Sequence, residues 1–327
     1  MSVRPRRATA RATVIALTVL VLLLLLAGVY GWRRQAAQAA RAGQVERVVI
    51  ATNTEYVGSC PVTEARRQGY FSDEGIQAQI QSHSSGKAAM DAVLQGKADM
   101  GTVADIPVMF AGLNKDPVAV IATIFDTEKD HGIVGRRDRG VDGAASLKGK
   151  RIGVTLNTSG HFMLDAFLNR QRLAPSEVSM RNYLPEELPG ALARGEVDAI
   201  ATWEPFLAAS LRQQGGNGVA FYGQDVYESI YNVAAMRAYI AAHPETIRKI
   251  LRALRRGAQY CAAAPVALPT YHFRVVLDQG LILALEDEAR WAIKNRMSER
   301  ADMPNYLDYM YLDGLETVRP SAVTIIH

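Results

Sequence analysis

Short apolar runs alternate with amphipathic stretches from about residue 45 to about residue 202 of the chain. Apolar runs rich in β-branched residues, bounded by polar residues or glycine, predict strands at 48–52, 77–81, 99–104, 118–125, 151–154 and 197–202. Stretches that follow a capping serine or threonine, or that end at a glycine, predict helices at 63–69, 84–94, 158–172 and 188–193. This alternation with short connections predicts an α/β protein whose parallel sheets are covered by helices on both faces.

The two halves of this body resemble each other locally. Gly96 and Gly195 each end a predicted helix, and an aspartate three residues later, Asp99 or Asp198, starts a strand. A carboxylate follows six residues after each aspartate, as Asp105 in one half and as Glu204 in the other. We expect two lobes of similar build, with chance similarity between α/β segments as the alternative.

The N-terminal segment, residues 1–44, has the pattern of a signal or membrane anchor. Residues 12–32 carry no charge, and their length matches the roughly 20 residues that a membrane-spanning helix needs. We expect a transmembrane helix there that stays attached and holds the body at the extracytoplasmic, periplasmic face of the inner membrane. The alternative is a signal peptide cleaved near the small-x-small sequence at 37–39, which would release the body into the periplasm.

Charge is distributed unevenly along the chain. Residues 1–47 carry eight arginines and one acid, Glu46, so this segment has a charge of +7, whereas the whole chain has +4 and the remaining 280 residues therefore −3. The basic excess belongs to the N-terminus, and the body gives no indication of nucleic-acid binding. Hydrophobic residues make up 49% of the 327 residues, enough for the cores of two domains or lobes.

Cysteines and histidines are too few or too scattered for a metal site. The two cysteines exclude a four-cysteine zinc site, and no two of the six histidines stand four residues apart. Cys60 and Cys261 could pair in an oxidising compartment, but the alanine-rich surroundings of Cys261 favour a buried unpaired residue. The motifs GxxxxGK[ST], GxGxxG, GxSxG and HExxH are missing from the sequence, so we expect no bound cofactor, no metal and no enzymatic activity.

A set of motifs occurs in a fixed order between about residues 45 and 255. The run GYFSDEGI at 69–76 is followed by motifs at 84–86, 94–99, 147–154, 197–205 and 243–245. This ordered set resembles the periplasmic substrate-binding proteins of ABC importers of the nitrate/sulfonate/taurine type, also called NMT1/THI5-like. The last 70 or so residues of the chain match this family only loosely.

The resemblance implies a type II periplasmic binding protein fold, in which two Rossmann-like lobes enclose a ligand cleft. Residues 45–125 and 236–327 would form the first lobe and residues 126–235 the second, with crossings near 125–131 and 222–232. It also implies a monomer that captures a small anion or zwitterion, such as nitrate, a sulfonate or taurine, by cleft closure and delivers it to an ABC permease and its ATPase. The alternatives are a membrane-anchored ligand sensor, and a thiamin-pyrimidine enzyme on the same fold, although the cysteine- and histidine-rich signature of that enzyme branch is missing.

Candidate ligand-binding residues follow the predicted strands, because open α/β sheets bind ligands beyond the carboxyl ends of their strands. In the first lobe and at its crossing they are Thr54, Glu55, Tyr56, Ser84, Ser85, Gly86, Asp105, Thr123 and Phe125. In the second lobe and at its crossing they are Asn157, Thr158, Ser159, Gly160, Trp203, Glu204 and Asn232.

Two of these segments, 84–86 and 158–160, open predicted helices, where free N–H groups favour an anion, although they could serve only as helix caps. Trp203 could form a flat ligand wall or pack behind its strand. Glu204, Glu55 or Asp105 could hold an amino group, whereas Glu204 alone could instead stabilise the first turn of a helix.

Overall fold

The computed structural model describes residues 45–264 and 268–326. The expected transmembrane helix at 12–32 and the alternative cleavage site at 37–39 lie outside these residues. No helix within the described residues has the length and apolar character needed to cross a membrane.

Two mixed sheets form the centre of the described chain. The first has the strand order β11-β4-β10-β3-β1-β2, and its members are β1 (Glu46–Thr52), β2 (Ile76–Ser82), β3 (Met100–Ala104), β4 (Val118–Thr127), β10 (Ser229–Met236) and β11 (His272–Val276). The second has the order β7-β6-β8-β5-β9, and its members are β5 (His131–Arg136), β6 (Arg151–Val154), β7 (Ser179–Asn182), β8 (Ala199–Trp203) and β9 (Gly218–Tyr222).

All six predicted strands are present, but the expectation of purely parallel sheets is wrong. Predicted strands pair in parallel where β1 meets β3 and where β6 meets β8. The sequence pattern did not reveal β7, which pairs in parallel with β6, nor β10 and β5, which add antiparallel pairs. β10 runs against β3 and β4, and β5 runs against β8 and β9.

Helices cover both sheets, and the four predicted helices are among them. In chain order the α-helices are α1 (Cys60–Arg67), α2 (Tyr70–Asp73), α3 (Gly86–Leu94), α4 (Asp105–Asn114), α5 (Ser159–Arg170), α6 (Leu188–Arg194), α7 (Phe206–Gln214), α8 (Arg237–Ala242), α9 (Pro244–Ala263), α10 (Gln279–Lys294) and α11 (Leu312–Val318).

The repeated Gly-x-x-Asp pattern has the same structural role in both lobes. Gly96 and Gly195 follow α3 and α6 with φ of +66° and +71°, a backbone conformation that glycine adopts without strain. Asp99 then accepts a hydrogen bond from the N–H of Val49 at 2.7 Å, which joins it to β1. Asp198 likewise accepts from the N–H of Arg151 at 3.0 Å, which joins it to β6. Each aspartate therefore fastens the start of one strand to its neighbour.

The chain crosses between the sheets at residues 128–130 and 223–228. Both crossings fall within the segments expected for them. The expected lobe boundary at residue 235 is nevertheless too late, because β10 pairs with β3 and β4 of the first sheet over residues 229–236. The first lobe therefore resumes with β10.

A disulfide joins Cys60, at the start of α1, to Cys261, near the end of α9. The interpretation of Cys261 as an unpaired residue is therefore wrong. The two Cα atoms lie 6.1 Å apart although 201 positions separate them in sequence. The helices meet closely there, since a Cβ at Gly257 would lie only 2.1 Å from the carbonyl oxygen of Pro61.

Candidate ligand-binding cleft

A cavity with about 30 Å³ of free space lies between the two sheets, beyond the ends of β1, β3 and β8. This volume exceeds the space that one water molecule needs by only a small factor, so the lobes are closed on one another. The cavity is lined by Asn53, Tyr56, Ser85, Gly86, Lys87, Ala104, Pro107, His131, Thr158, Ser159, Trp203, Ser229 and Tyr231.

Two helices, one from each lobe, begin at this cavity. Ser85 caps α3, since its hydroxyl accepts a hydrogen bond from the N–H of Ala88 at 3.1 Å. Ser159 is the first residue of α5. Thr158 precedes it and donates its hydroxyl to the carbonyl of Thr155 at 2.6 Å rather than capping the helix. The first N–H groups of a helix have no partner within the helix, so both helix starts offer donors and a positive dipole end.

The glycines at these helix starts allow close packing. A Cβ at Gly86 would lie 3.0 Å from the backbone nitrogen of Ala104, and one at Gly160 would lie 3.2 Å from the ring of Trp203. Gly86 lines the cavity, whereas Gly160 faces the tryptophan. Both glycines therefore let a helix approach a strand end, which is sufficient reason for their presence.

A chain of hydrogen bonds connects the lobes beside the cavity. The phenol of Tyr56 donates to the carboxylate of Asp130 and lies 3.2 Å from the hydroxyl of Ser229. The same carboxylate bonds Nδ1 of His131 at 2.6 Å, and Nε2 of His131 lies 2.8 Å from the hydroxyl oxygen of Ser159. Burial, followed by the charge of Asp130, raises the pKa of Tyr56 well above its usual range, so the phenol keeps its proton and donates it.

Aromatic rings form one wall of the cavity. Trp203 is 6% exposed, and its ring centroid lies 5.8 Å from that of His131 and 6.2 Å from that of Phe206. Tyr56 packs edge-on against Tyr231, with 4.8 Å between ring centroids. Trp203 therefore both lines the cavity and packs in the protein interior, which combines the two alternatives that the sequence left open.

Six of the sixteen candidate residues line the cavity, namely Tyr56, Ser85, Gly86, Thr158, Ser159 and Trp203. The other ten lie outside the lining. Thr54, Glu55 and Asn157 have exposed side chains, and Ser84 contributes its carbonyl, which accepts a hydrogen bond from Asn53 at 3.1 Å.

Two candidates form a buried pair within the first sheet. Thr123 of β4 donates its hydroxyl to the side-chain oxygen of Asn232 of β10 at 2.7 Å. Phe125 packs against Tyr56 and Phe273, with ring centroids 5.9 and 5.0 Å away. Phe125 therefore supports the cavity wall through Tyr56, whereas Thr123 and Asn232 bond each other within the sheet.

Asp105 is directed away from the cavity. Its carboxylate accepts from the phenol of Tyr227 at 2.7 Å and from the N–H of Ile230 at 3.3 Å. Complete burial raises the pKa of Asp105 to about 6. Glu288 of α10 is also completely buried, and burial, followed by the charge of Asp105, raises its pKa well above the usual range. The two carboxyl groups form a buried acidic pair behind the cavity.

Glu204 has the structural role that its place before a helix allows. Its carboxylate accepts a hydrogen bond from the N–H of Ala208 at 3.1 Å, in the first turn of α7. Burial raises its pKa above the usual value. The hypothesis that Glu204, Glu55 or Asp105 holds an amino group therefore lacks support, because none of the three lines the cavity.

His131 was missing from the sequence-based candidates, as were Lys87, Ser229 and Tyr231. His131 follows Asp130 at the first crossing, and this Asp-His pair beside a predicted hinge is the one local signal that could have identified it. Its partner Ser159 is 28 residues away, so the sequence alone does not reveal their contact. Within residues 45–264 and 268–326, no cluster of three His, Cys, Asp or Glu residues is placed to hold a metal ion.

Known proteins are similar to this chain in sequence and structure. The sequence profile of the family described as NMT1/THI5 like matches residues 56–267. A 4-amino-5-hydroxymethyl-2-methylpyrimidine phosphate synthase of Aspergillus parasiticus is 27% identical over 243 residues, which are 68% of this chain and 68% of that protein. A putative aliphatic sulfonates-binding protein of Bacillus subtilis (strain 168) is 25% identical over 203 residues, which are 60% of each protein.

The alkanesulfonate-binding protein of Xanthomonas axonopodis pv. citri, solved with bound MOPS, has a similar fold. It superposes with a TM-score of 0.69 at 18% identity and covers 83% of this chain and 99% of that one. The periplasmic binding protein fold, with two lobes around a cleft, is thereby confirmed.

The fungal relative corrects another expectation. The sequence motifs predict a protein without enzymatic activity, and the similarity to a named synthase over 68% of this chain contradicts that prediction. The family profile, by contrast, agrees with the ordered motifs and covers more than half of the chain. The protein belongs to the NMT1/THI5-like family.

Proposed function

We propose that this protein is the solute-binding subunit of an ABC importer and captures a small organic sulfonate in the cleft. The observation that carries this proposal is the meeting of two helix starts, from α3 in one lobe and α5 in the other, at a single cavity. Each start presents free N–H groups and a positive dipole end, and together they favour an oxyanion between them.

The charges and surfaces of the cavity support a sulfonate over the other family ligands. Among the described residues that line it there is one cation, Lys87, and no carboxylate, so the amino group of taurine would have no negative partner. Trp203 provides a flat apolar wall that an alkyl group can cover and that nitrate cannot use. Similarity to a protein named for aliphatic sulfonates agrees with this choice.

Binding would act through closure of the lobes. The two crossing segments, 128–130 and 223–228, are the only covalent links between the sheets within the described residues. A ligand that bridges both helix starts binds the closed form better than the open form, which shifts the equilibrium toward closure. The closed form would then be the one that a permease recognises.

Location and partners follow from the same proposal. The disulfide between Cys60 and Cys261 suits an oxidising, extracytoplasmic compartment. The body would face the periplasm as a monomer, held at the membrane by residues 12–32 if that segment stays attached. Transfer of the ligand to an ABC permease with its ATPase would complete the function.

A thermal-shift screen of the full-length protein tests the ligand class. We expect ethanesulfonate to raise the melting temperature more than taurine or nitrate does at the same concentration. At about 100 times the dissociation constant, one bound ligand adds roughly 2.7 kcal/mol to the free energy of unfolding, which corresponds to a shift of a few degrees. A larger shift with taurine would refute the charge argument, and no shift with any of the three would refute the proposal.

A further inference from the structure

We propose that Ser159, His131 and Asp130 hydrolyse small carboxylic esters in the cleft, an activity that goes beyond the binding of a solute. The hydroxyl oxygen of Ser159 lies 2.8 Å from Nε2 of His131, and Nδ1 of His131 lies 2.6 Å from a carboxylate oxygen of Asp130. The three residues are 5%, 3% and 0% exposed. A nucleophile bonded to a base, which is in turn oriented by a buried carboxylate, is the geometry that activates serine for acyl transfer.

Ser159 and His131 belong to the second lobe, and Asp130, at the crossing, is fixed to the same sheet, so the three can stay together when the cleft opens. Ser159 begins α5, and His131 begins β5 and pairs with Trp203 of β8. The backbone carbonyl of Asp130 accepts a hydrogen bond from the N–H of Glu204 at 2.9 Å, which fixes Asp130 to the same sheet. From the first lobe, Tyr56 bonds the carboxylate of Asp130, and Ser229 lies beside that phenol. Opening would therefore expose Ser159 to a substrate without separating it from its base.

The surroundings of Ser159 suit a small acyl group. Ser159 and His131 both line the cavity, so a bound molecule can reach the hydroxyl and the imidazole. The first N–H groups of α5, including that of Gly160 directly after the nucleophile, can stabilise an oxyanion. Trp203, whose ring lies against Gly160, gives the acyl chain an apolar surface. The narrow cavity favours short-chain esters.

The reaction balances with water as the only co-reactant. Ser159 attacks the ester carbonyl carbon, and its proton passes to Nε2 of His131. The bond from that carbon to the alcohol oxygen breaks, and the alcohol leaves with the proton from His131. Water then attacks the acyl-serine and gives a proton to His131, the carboxylic acid leaves, and Ser159 regains its proton. His131 and Ser159 are catalytic residues, whereas Asp130 is a positioning residue that holds the imidazole.

The alternative is that these three residues only stabilise the closed form. The chemical reactivity of Ser159 distinguishes catalysis from this structural role. We would treat the full-length protein with a fluorophosphonate probe, which forms a covalent bond with activated serines, and locate the adduct by peptide mass spectrometry. We expect the adduct on Ser159 in the wild-type protein and a labelling rate at least about 100-fold lower for His131→Gln. If the folded wild-type protein shows no adduct on Ser159, that result alone overturns the proposal.

Hydrolysis of p-nitrophenyl acetate provides the second readout. Ser159→Ala should lower the rate to that of buffer, whereas Ser210→Ala should not change it. Ser210 is a matched control because it is also buried but lies in α7, where its hydroxyl bonds the carbonyl of Phe206 at 2.7 Å. Equal hydrolysis by wild type and Ser159→Ala would refute the proposal.

The pH profile of labelling distinguishes a role of Asp130 in the reaction from a purely structural role. Asp130→Asn should slow labelling and also move its pH profile, because the amide no longer stabilises the imidazolium. The groups that face His131 are Asp130, Ser159, the rings of Trp203 and Tyr227, and the nearby charge of Asp105. An unchanged pH profile would remove Asp130 from the reaction. A failed labelling experiment would leave sulfonate binding untouched, so the two proposals fail separately.

Discussion

The phenol of Tyr56 donates a hydrogen bond to the carboxylate of Asp130, and these two buried residues belong to different lobes. Tyr56 follows β1 of the first sheet, whereas Asp130 is fixed to β8 of the second by its backbone carbonyl. The contact therefore joins the two lobes in the closed form. It makes closure depend on a specific pair of groups as well as on any ligand.

Tyr56→Phe should weaken closure in the ligand-free protein. The substitution removes one hydrogen bond to a buried carboxylate, which should lower the free energy of unfolding by about 1–3 kcal/mol. Small-angle X-ray scattering should give a larger radius of gyration for the variant than for the wild type. The matched control is Tyr260→Phe, because that phenol is exposed and bonds only Arg67 within the described part of the chain. Equal radii for wild type and Tyr56→Phe would contradict the role of this contact.

Stability should fall as the pH rises from about 4 to about 6. Burial raises the pKa of Asp105 to about 6, from a value near 4 in the unfolded chain. The folded state then binds more protons than the unfolded state between these values, so the free energy of unfolding decreases with rising pH, by about 3 kcal/mol for this group alone. Urea unfolding at a series of pH values measures this decrease.

Asp105→Asn should flatten that dependence, because the amide keeps the shape of the side chain and does not titrate. Asp287→Asn serves as the control, since Asp287 has a largely exposed side chain that pairs with Arg290 on the surface of α10. If the free energy of unfolding of Asp105→Asn falls with rising pH as steeply as that of the wild type, Asp105 is not the group responsible.

Removal of the disulfide should destabilise the first lobe without altering its fold. Cys60 and Cys261, which are 201 positions apart in sequence, close a long loop, and loss of such a cross-link lowers the free energy of unfolding by about 2–5 kcal/mol. The double variant Cys60→Ala/Cys261→Ala isolates this effect without leaving a free thiol. Urea unfolding should give a lower midpoint, and a midpoint equal to that of the oxidised wild type would refute the expectation.

The sequence predicted the parallel core of both lobes because those strands are short, continuous apolar runs beside capped helices. β10 was hidden because Asn232 interrupts its apolar run. This asparagine is buried with its amide N–H donated to the carbonyl of Ile230 and its side-chain oxygen bonded by the hydroxyl of Thr123. That bond joins residues 109 positions apart, so no local pattern reports it. β10 and its antiparallel pairing with β3 and β4 therefore required the structure.

Only part of the candidate site could be predicted from the sequence. Ser85 and Ser159 stand at strand-to-helix turns, a local signal that correctly places them at the cavity. Asp105 and Glu204 stand at equivalent positions after strands, yet each carboxylate is directed to a partner, Tyr227 or the N–H of Ala208. The contact of Asp105 with Tyr227 joins residues 122 positions apart, so no local pattern reveals it. The bond of Glu204 to Ala208 is local, and it is the structural alternative that the sequence offered for this residue.

Calorimetric titration of the full-length protein with ethanesulfonate tests most directly whether the cleft binds a small organic anion. The wild type should bind with a single saturable site, and Ser159→Ala, which removes one hydroxyl from the cavity lining, should bind about 10-fold more weakly. Ser210→Ala should bind like the wild type, because its hydroxyl lies in α7, away from the cavity. No saturable heat with the wild type, or equal affinities for all three proteins, would contradict binding in the cleft.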